Sequence, residues 1–314
     1  MTNVNLVDLG QAIDKAIQNT TNQPNSMGIT KTPEIQSKTV KYQPFLEWLE
    51  SQGRCKDVST ANVSFYEETG NNPATAIAET GDIPAYRAQT FNEVPERMRT
   101  LVVPIQISDL AQEGTDFIDL KQKFVEEGYI GVNNLTDKLL LDGNATSNPL
   151  EFDKIWKNVT SESNEGDPIT KNKIKEMFDT CIDAGGRPDV IVTDSTVAGQ
   201  LDDLIDPLIR YENPAEVALG HKVTTYRSPD GSYVPIIVDR NMPTDNDTHS
   251  MLLLDSTTVE VLYKTRPTYI QLAKTKLASN DAIYSHVVAH NTGAFKSGTI
   301  TNIGVATGEV EGTG

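Results

Sequence analysis

Cysteine is nearly absent from this chain: Cys55 and Cys181 are the two examples in 314 residues. Two thiols so far apart form no disulfide framework and no zinc-ligand spacing, and they read as reduced thiols of a cytoplasmic protein. Histidine is scarce too, with four residues. No stretch approaches the ~18 consecutive apolar residues that a membrane-spanning helix needs. The first 17 residues contain Asp8 and Asp14 and lack the apolar run of a signal peptide. Positive charge is in deficit, 27 Lys and Arg against 44 Asp and Glu, a net −17. A protein that grips nucleic acid needs a basic footprint, and so does one that binds an anionic membrane surface; neither role fits. Gly-rich phosphate loops, HExxH, GxSxG and CxxC are all missing.

What titratable chemistry there is does not converge. His286 and His290 fall in a strand-like run and share one face, but imidazoles ~13 Å apart along a strand cannot hold one ion. His249 follows Asp245 and Asp247 without the ligand spacing of a calcium loop, so the segment reads as a solvated acidic turn. Asp202, Asp203 and Asp206 form an acidic helix end with no base, nucleophile or anion hole beside them. Cys181 sits on the apolar face of a helix and reads as core. The expectation is a protein that works by contact, with no catalytic residues, cofactor or metal.

The pattern along the chain is mixed. Residues 4–17 carry Leu6, Leu9, Ile13 and Ile17 at helical spacing, and a polar run follows to residue 43 that cannot bury enough surface to fold alone. Residues 1–43 therefore read as an extended arm. It holds four lysines against three carboxylates, a balance of +1, which leaves −18 on the rest of the chain. PFLEWLESQG (44–53) predicts a short helix with Pro44 at its start and Gly53 as its cap. NVSFYEET (62–69) and MRTLVVPIQIS (98–108) predict strands, the second demoted to an edge by Pro104. The long irregular stretch between them describes a protruding hairpin, and loops of that length are uncommon unless they act outside the domain.

Residues 115–142 predict the longest helix, with Thr115 as N-cap, Asp116 and Asp119 against the dipole, and Gly143 as stop. Phe117, Leu120, Phe124, Val125, Ile130, Val132, Leu135 and Leu139 supply its apolar stripe, and Gly128 and Gly131 mark a bend. Further helices are predicted at 170–184 and 195–205. A hairpin is predicted over 220–230, turning at Pro229-Asp230-Gly231, and strands at 189–193, 234–238, 251–254, 259–263, 269–274 and 282–289. The glycine-rich tail from Gly304 is expected to be flexible. Strands and helices mix without a βαβ repeat, which gives an α+β class.

Several segments carry a resemblance: AETGDIPAYRAQTF (78–91) followed by MRTLVVPIQIS, LLLDGN (139–144), DAGGRPDVIVTDSTVAGQL (183–201), YVPIIVDRNMP (233–243) and IYSHVVAHNTGAFKSGTITNI (283–303). In that order they resemble the major capsid proteins of tailed bacteriophages with the Hong Kong 97 fold. The resemblance implies an N-terminal arm (1–43), a short helix and E-loop hairpin (44–108, with the loop itself from about 57), and a peripheral domain with its spine helix (109–167). An axial domain (168–264), a return to the peripheral domain (265–303) and a flexible tail (304–314) complete it. The resemblance further implies a structural protein of the virion, assembled in the host cytoplasm. Pentamers and hexamers of itself would close into an icosahedral shell around double-stranded DNA, without sequence-specific contacts, with a scaffolding protein, portal and decoration protein as partners. Inter-subunit contacts are expected from Lys31, Lys38 and Lys41 of the arm and from Pro84, Tyr86, Arg87, Arg97 and Arg99 of the loop. The alternatives are an encapsulin-type nanocompartment, disfavoured by the long polar arm, and an acidic α+β enzyme.

Two features depart from the family. No lysine stands between Lys56 and Lys121, so the loop offers only guanidinium groups, which stay protonated and are poor acyl acceptors; self-cross-linking through it is not expected. No long helical scaffolding segment precedes the arm, so assembly is expected to need a separate scaffold unless the 4–17 helix serves instead.

Overall fold

A computed structural model describes residues 42–68, 74–77, 79, 91–108, 120–204, 215–218, 221–223, 225–244, 248–274 and 278–305. Among the described residues the α-helices are α1 (Pro44–Ser51), α2 (Leu120–Asp142), α3 (Lys171–Asp183) and α4 (Ser195–Leu204). The strands begin with β1 (Cys55–Asp57), β2 (Asn62–Glu68), β3 (Phe91–Arg97), β4 (Arg99–Ser108), β5 (Thr160–Ser163), β6 (Val190–Thr193) and β7 (Ala215–Ala218). They continue with β8 (His221–Val223), β9 (Thr225–Arg227), β10 (Tyr233–Val238), β11 (His249–Leu254), β12 (Val259–Gln271), β13 (Ala278–Asn291) and β14 (Gly298–Ile303). The class is α+β. Two compact units share the chain: a smaller one drawn from the described parts of Val102–Val132 and Pro267–Tyr284, and a larger one from Tyr42–Leu101, Asn133–Arg266 and Ser285 onward. The elements β4, α2, β12 and β13 contribute residues to both.

The larger unit is built on a six-stranded sheet in the order β5-β14-β11-β6-β10-β9. β6 lies at its centre, parallel to β10 and antiparallel to β11. All four of its residues are buried, which is why its sequence, VIVT, is a β-branched run without alternation. In register, Ile191 stands between Ile236 and Leu253, and these three pack with Ile174, Met177 and Phe178 of α3 and Val197 and Leu201 of α4. Each such side chain contributes roughly 1.5–3 kcal/mol by leaving water. α3 starts at Thr170, whose side chain accepts from the Lys173 amide, and the chain leaves it through Gly185 at φ +80°. Gly298 on β14 lets α3 approach closely, because a Cβ there would meet Met177 and Cys181.

Elsewhere in this unit, α1 buries Phe45, Leu46, Trp48 and Leu49 and ends where Gly53 adopts φ +69°. The residues after α2 fold back on its end: Trp156 Nε1 donates to Leu141 O at 2.7 Å, and Phe152 and Ile155 are buried. β2 and β3 form an antiparallel hairpin paired over seven residues. A second sheet, in the order β1-β12-β13-β4, has β4 at its edge, the position in a sheet that tolerates a proline such as Pro104.

In the smaller unit, α2 lies on the sheet through its two glycines. A Cβ on Gly128 would stand 2.6 Å from Ile283 Cδ1 and 3.1 Å from Ile105 Cδ1, and one on Gly131 3.3 Å from Val103 Cγ2. These glycines serve close approach. The Tyr269 amide donates to Tyr129 Oη at 3.2 Å, Gln106 pairs with Asn280 at 3.0 Å, and Lys121 Nζ lies 3.4 Å from the buried Asp281 carboxylate.

Several expectations change. The strand that pairs with β2 is Phe91–Arg97, not 98–108; Met98 ends it and β4 joins the other sheet. FNEVPER shows little alternation because its anchored face holds Asn92 and Glu96 beside Val94, while Phe91 and Pro95 stand on the outer face. The strands expected at 259–263 and 269–274 are one, β12; β1 pairs only with Val261–Tyr263, so Pro267 lies beyond that ladder. The hairpin expected at 220–230 is formed by β9 and β10 around Ser228–Ser232, with Gly231 at φ +88°. Ile182, expected on the apolar face of α3, is 36% exposed, as is Leu135 on α2. Thr115, Asp116 and Asp119, all of the arm but Tyr42 and Gln43, and most of the tail lie outside the described residues.

Candidate contact surfaces

The β2–β3 hairpin has two chemically different faces, fixed by its register. Residues directly opposite share a face, so Val63, Phe65 and Glu67 lie with Glu96, Val94 and Asn92. Phe65 is 3% exposed and stacks on the His290 ring, centroids 4.7 Å apart. Glu67 Oε1 lies 3.1 Å from His290 Nε2. This face anchors the hairpin to β13. The other face carries Ser64 and Tyr66 with Pro95, Glu93 and Phe91. Tyr66 and Phe91 are each 62% exposed, two diagonal aromatics on a braced scaffold, and Arg97 is exposed at the root. Aromatic and arginine side chains held this way are the residues enriched at protein–protein contacts.

Of the loop residues named from sequence, Arg97 is thus on the exposed face. Arg99 is half-buried, and its Nε donates to Glu151 O at 2.9 Å in its own chain. That bond braces the 144–151 loop, which is also tied by Asn144 Oδ1 accepting from Thr146 and Ser147 and by the Asn148 amide side chain donating to Glu151. Leu150 projects from it, 77% exposed. Pro84, Tyr86, Arg87, Lys31, Lys38 and Lys41 lie outside the described residues. A shallow groove of about 390 Å³ in the smaller unit is lined by Val103 to Gln106 of β4 and Phe124, Glu127, Gly128 and Gly131 of α2.

Two further histidines named from sequence are tied into the fold. His286 Nδ1 is 2.9 Å from Thr100 Oγ1. His249 Nδ1 lies 2.7 Å from Asp194 Oδ2, and Asp194 also accepts from the Thr196 and Val197 amides at the start of α4; Asp245 and Asp247 lie outside the described residues. Asp203 is exposed, Asp202 half-buried, and Asp206 lies outside. Cys181 is buried, as expected of a core residue. Among the described residues, no group of three or more His, Cys, Asp or Glu is placed to hold a metal ion, and no helix is long and apolar enough to cross a membrane.

One feature was not read from the sequence. Asp137, on α2 between Thr136 and Lys138, is fully buried. The apolar stripe placed Leu135 inward, but near the end of α2 the helix is buried on more than one side: Val132, Thr136, Asp137 and Leu139 to Leu141 are all inside. An aspartate among helix-formers carries no signal of such a position.

The SU10 major capsid protein family model matches residues 16–304. No curated protein sequence matches the chain. Among solved structures, the capsid of cyanophage A-1(L) is similar at TM-score 0.65 and 11% identity, over 90% of this chain and 99% of the other. The holo-SrpI encapsulin complex of Synechococcus elongatus PCC 7942 is similar at TM-score 0.64 and 12% identity, over 92% and 96%. The capsid of Myoviridae phage XM1 follows at 0.57 and 12%, over 87% and 96%.

Proposed function

The chain belongs to the SU10 major capsid protein family and has the Hong Kong 97 fold; from that premise we propose how it builds a shell. Its role is structural, as the self-associating subunit of a phage capsid, and its place is the virion. In our reading the subunits form pentamers and hexamers that close into an icosahedral shell around double-stranded DNA, assembled in the host cytoplasm with a scaffolding protein, a portal and a decoration protein. Repetition of modest contacts under symmetry supplies the stability.

The observation that carries this reading is the hairpin with one face anchored on His290 and the other presenting Tyr66 and Phe91. A free subunit gains nothing from holding two aromatics in water; a neighbour that covers them gains their burial. Arg87, Arg97 and Arg99 would add inter-subunit ion pairs, Arg99 from a side chain already anchored at Nε. The polar arm, with Lys31, Lys38 and Lys41, would lie across an acidic neighbour, and Pro84 and Tyr86 would contact it from the loop tip. In this reading 44–108 is the helix and E-loop, 109–167 with 265–303 the peripheral domain, and 168–264 the axial domain. The net −17 suits a wall that must not adhere to the DNA sliding past it.

Electron microscopy and sedimentation of the purified chain, alone and with its co-expressed assembly partners, test the proposal. Closed shells are expected. A stable monomer under every condition at high concentration would overturn it, and shells that hold a cargo protein instead of DNA would favour the nanocompartment.

A further inference from the structure

Two carboxylic side chains meet in the interior of the larger unit. Asp137 on α2 is fully buried and Asp239, in the turn after β10, is 1% exposed. One residue, Asn241, donates to both carboxyl groups. Asp137 Oδ1 accepts from the Leu46 amide in the first turn of α1, and its Oδ2 accepts from Asn241 Nδ2, both at 2.8 Å. Asp239 Oδ1 accepts from the Asn241 amide at 2.8 Å, while Asp239 Oδ2 is buried with no donor among the described residues. Three of the four oxygens thus have N–H donors, and the fourth, Asp239 Oδ2, is buried without one among the described residues.

Two bare carboxylates cannot share such a site, since burial penalises each and the second charge penalises both. A single proton between them removes one charge and gives the fourth oxygen its donor. The surrounding groups provide no other relief. From the segment before α1 comes the Tyr42 phenol, from α1 Glu47 near that phenol, and from β12 the Tyr263 phenol; both phenols are held protonated by burial. The sequence neighbours Lys138 and Arg240 are exposed.

We propose that Asp137 and Asp239 form a proton-held latch: one shared proton ties the first turn of α1, the end of α2 and the turn after β10 together, and each rise in pH weakens the tie. Burial, then the Asp239 charge, pushes the Asp137 carboxyl up to about 8 from its ordinary 3.8. The sign follows from linkage. A group with a raised folded value binds its proton more tightly when closed, so stabilisation is complete below the unfolded value and is lost as pH climbs to the folded one. The window is therefore from about 4 to about 8. The latch belongs to the single chain and does not depend on assembly.

Hydrogen exchange of the Leu46 amide reads it directly, because that N–H is bonded to Asp137. In the full chain the opening equilibrium of this amide should rise about tenfold per pH unit from pH 6 to pH 8, beyond the rise of chemical exchange itself, and level off above. Asp137→Asn carries a permanent donor toward Asp239 and should abolish that dependence. An opening equilibrium that does not change with pH in the unaltered chain would overturn the latch. Should the variant fail to fold, carbon-13 titration of the aspartate carboxyls in the unaltered chain decides: one should titrate above pH 7, and titration of all of them below pH 5 would overturn it equally.

Discussion

Phe65 lies against the imidazole of His290, ring centroids 4.7 Å apart and planes 26° from parallel. This contact and the neighbouring Glu67–His290 bond fix the base of the hairpin to β13. Phe65→Ala should cost about 3–5 kcal/mol, the range for a buried aromatic, and should open the hairpin to limited proteolysis. His290→Gln retains a partner for Glu67 and should cost less. Thermal unfolding of the two variants ranks them; equal losses would mean that the stacking contributes little.

The outer face makes the opposite prediction. Tyr66→Thr with Phe91→Thr keeps strand propensity and removes exposed aromatic surface. Subunit stability should move by no more than about 0.5 kcal/mol, while shell yield by electron microscopy falls sharply. Normal shells from this double variant would remove the hairpin face from the interface.

Gly143 and Gly53 both end helices, for different reasons. A Cβ on Gly143 would collide with the backbone carbonyls of Phe152 and Leu139, whereas one on Gly53 meets nothing and is disfavoured only by φ +69°. Gly143→Ala should therefore cost more, about 1–3 kcal/mol or above from overpacking, against about 1 kcal/mol for the left-handed backbone of Gly53→Ala. The shift in urea midpoint measures both.

The contrast between these glycines shows what the sequence can reveal. Helix ends and the buried strand β6 were legible because the signal is local: a periodic run beginning at Thr170, Gly53 after another, and three apolar residues with a threonine between polar flanks. The hairpin was legible as an excursion, but its returning strand was misplaced, because Phe91–Arg97 puts Asn92 and Glu96 on its anchored face and Phe91 on its exposed one and contains Pro95. Asp137 was invisible for another reason. What makes it unusual is Asp239, about 100 residues away, and no periodicity reports a partner at that distance.

Burial pushes the thiols of Cys55 and Cys181 each up to about 12. At pH 8 such a thiol is ionised roughly one part in 10⁴, so alkylation by iodoacetamide should run about 10³-fold slower than for an ordinary thiol. Both should be labelled promptly once the chain is unfolded in urea. Fast labelling of Cys181 in the folded protein would contradict its place beneath Gly298.

Charge sets the last prediction. Subunits of −17 repel, and at ~0.15 M salt that repulsion is screened beyond about 8 Å. If the arm at +1 is the local counter-charge, deleting residues 1–43 should weaken shells most at low ionic strength. A loss that is the same at every salt concentration would point instead to backbone and apolar contacts.

The division of the chain into units has a consequence for how the protein is made. The described part of the smaller unit joins 102–108 and 120–132 to 267–274 and 278–284. On a ribosome adding ~5–20 residues per second, about 130 residues and roughly 7–27 s separate these pieces. Through that interval β4 has emerged but β13, its neighbour in the sheet, has not been synthesised. Until then β4 stands without the strand that pairs with it, a sticky edge on every nascent chain of a protein that must be produced in many copies at once. The Pro104 that weakens this edge as a template for pairing is then a safeguard during synthesis as much as a feature of the finished sheet.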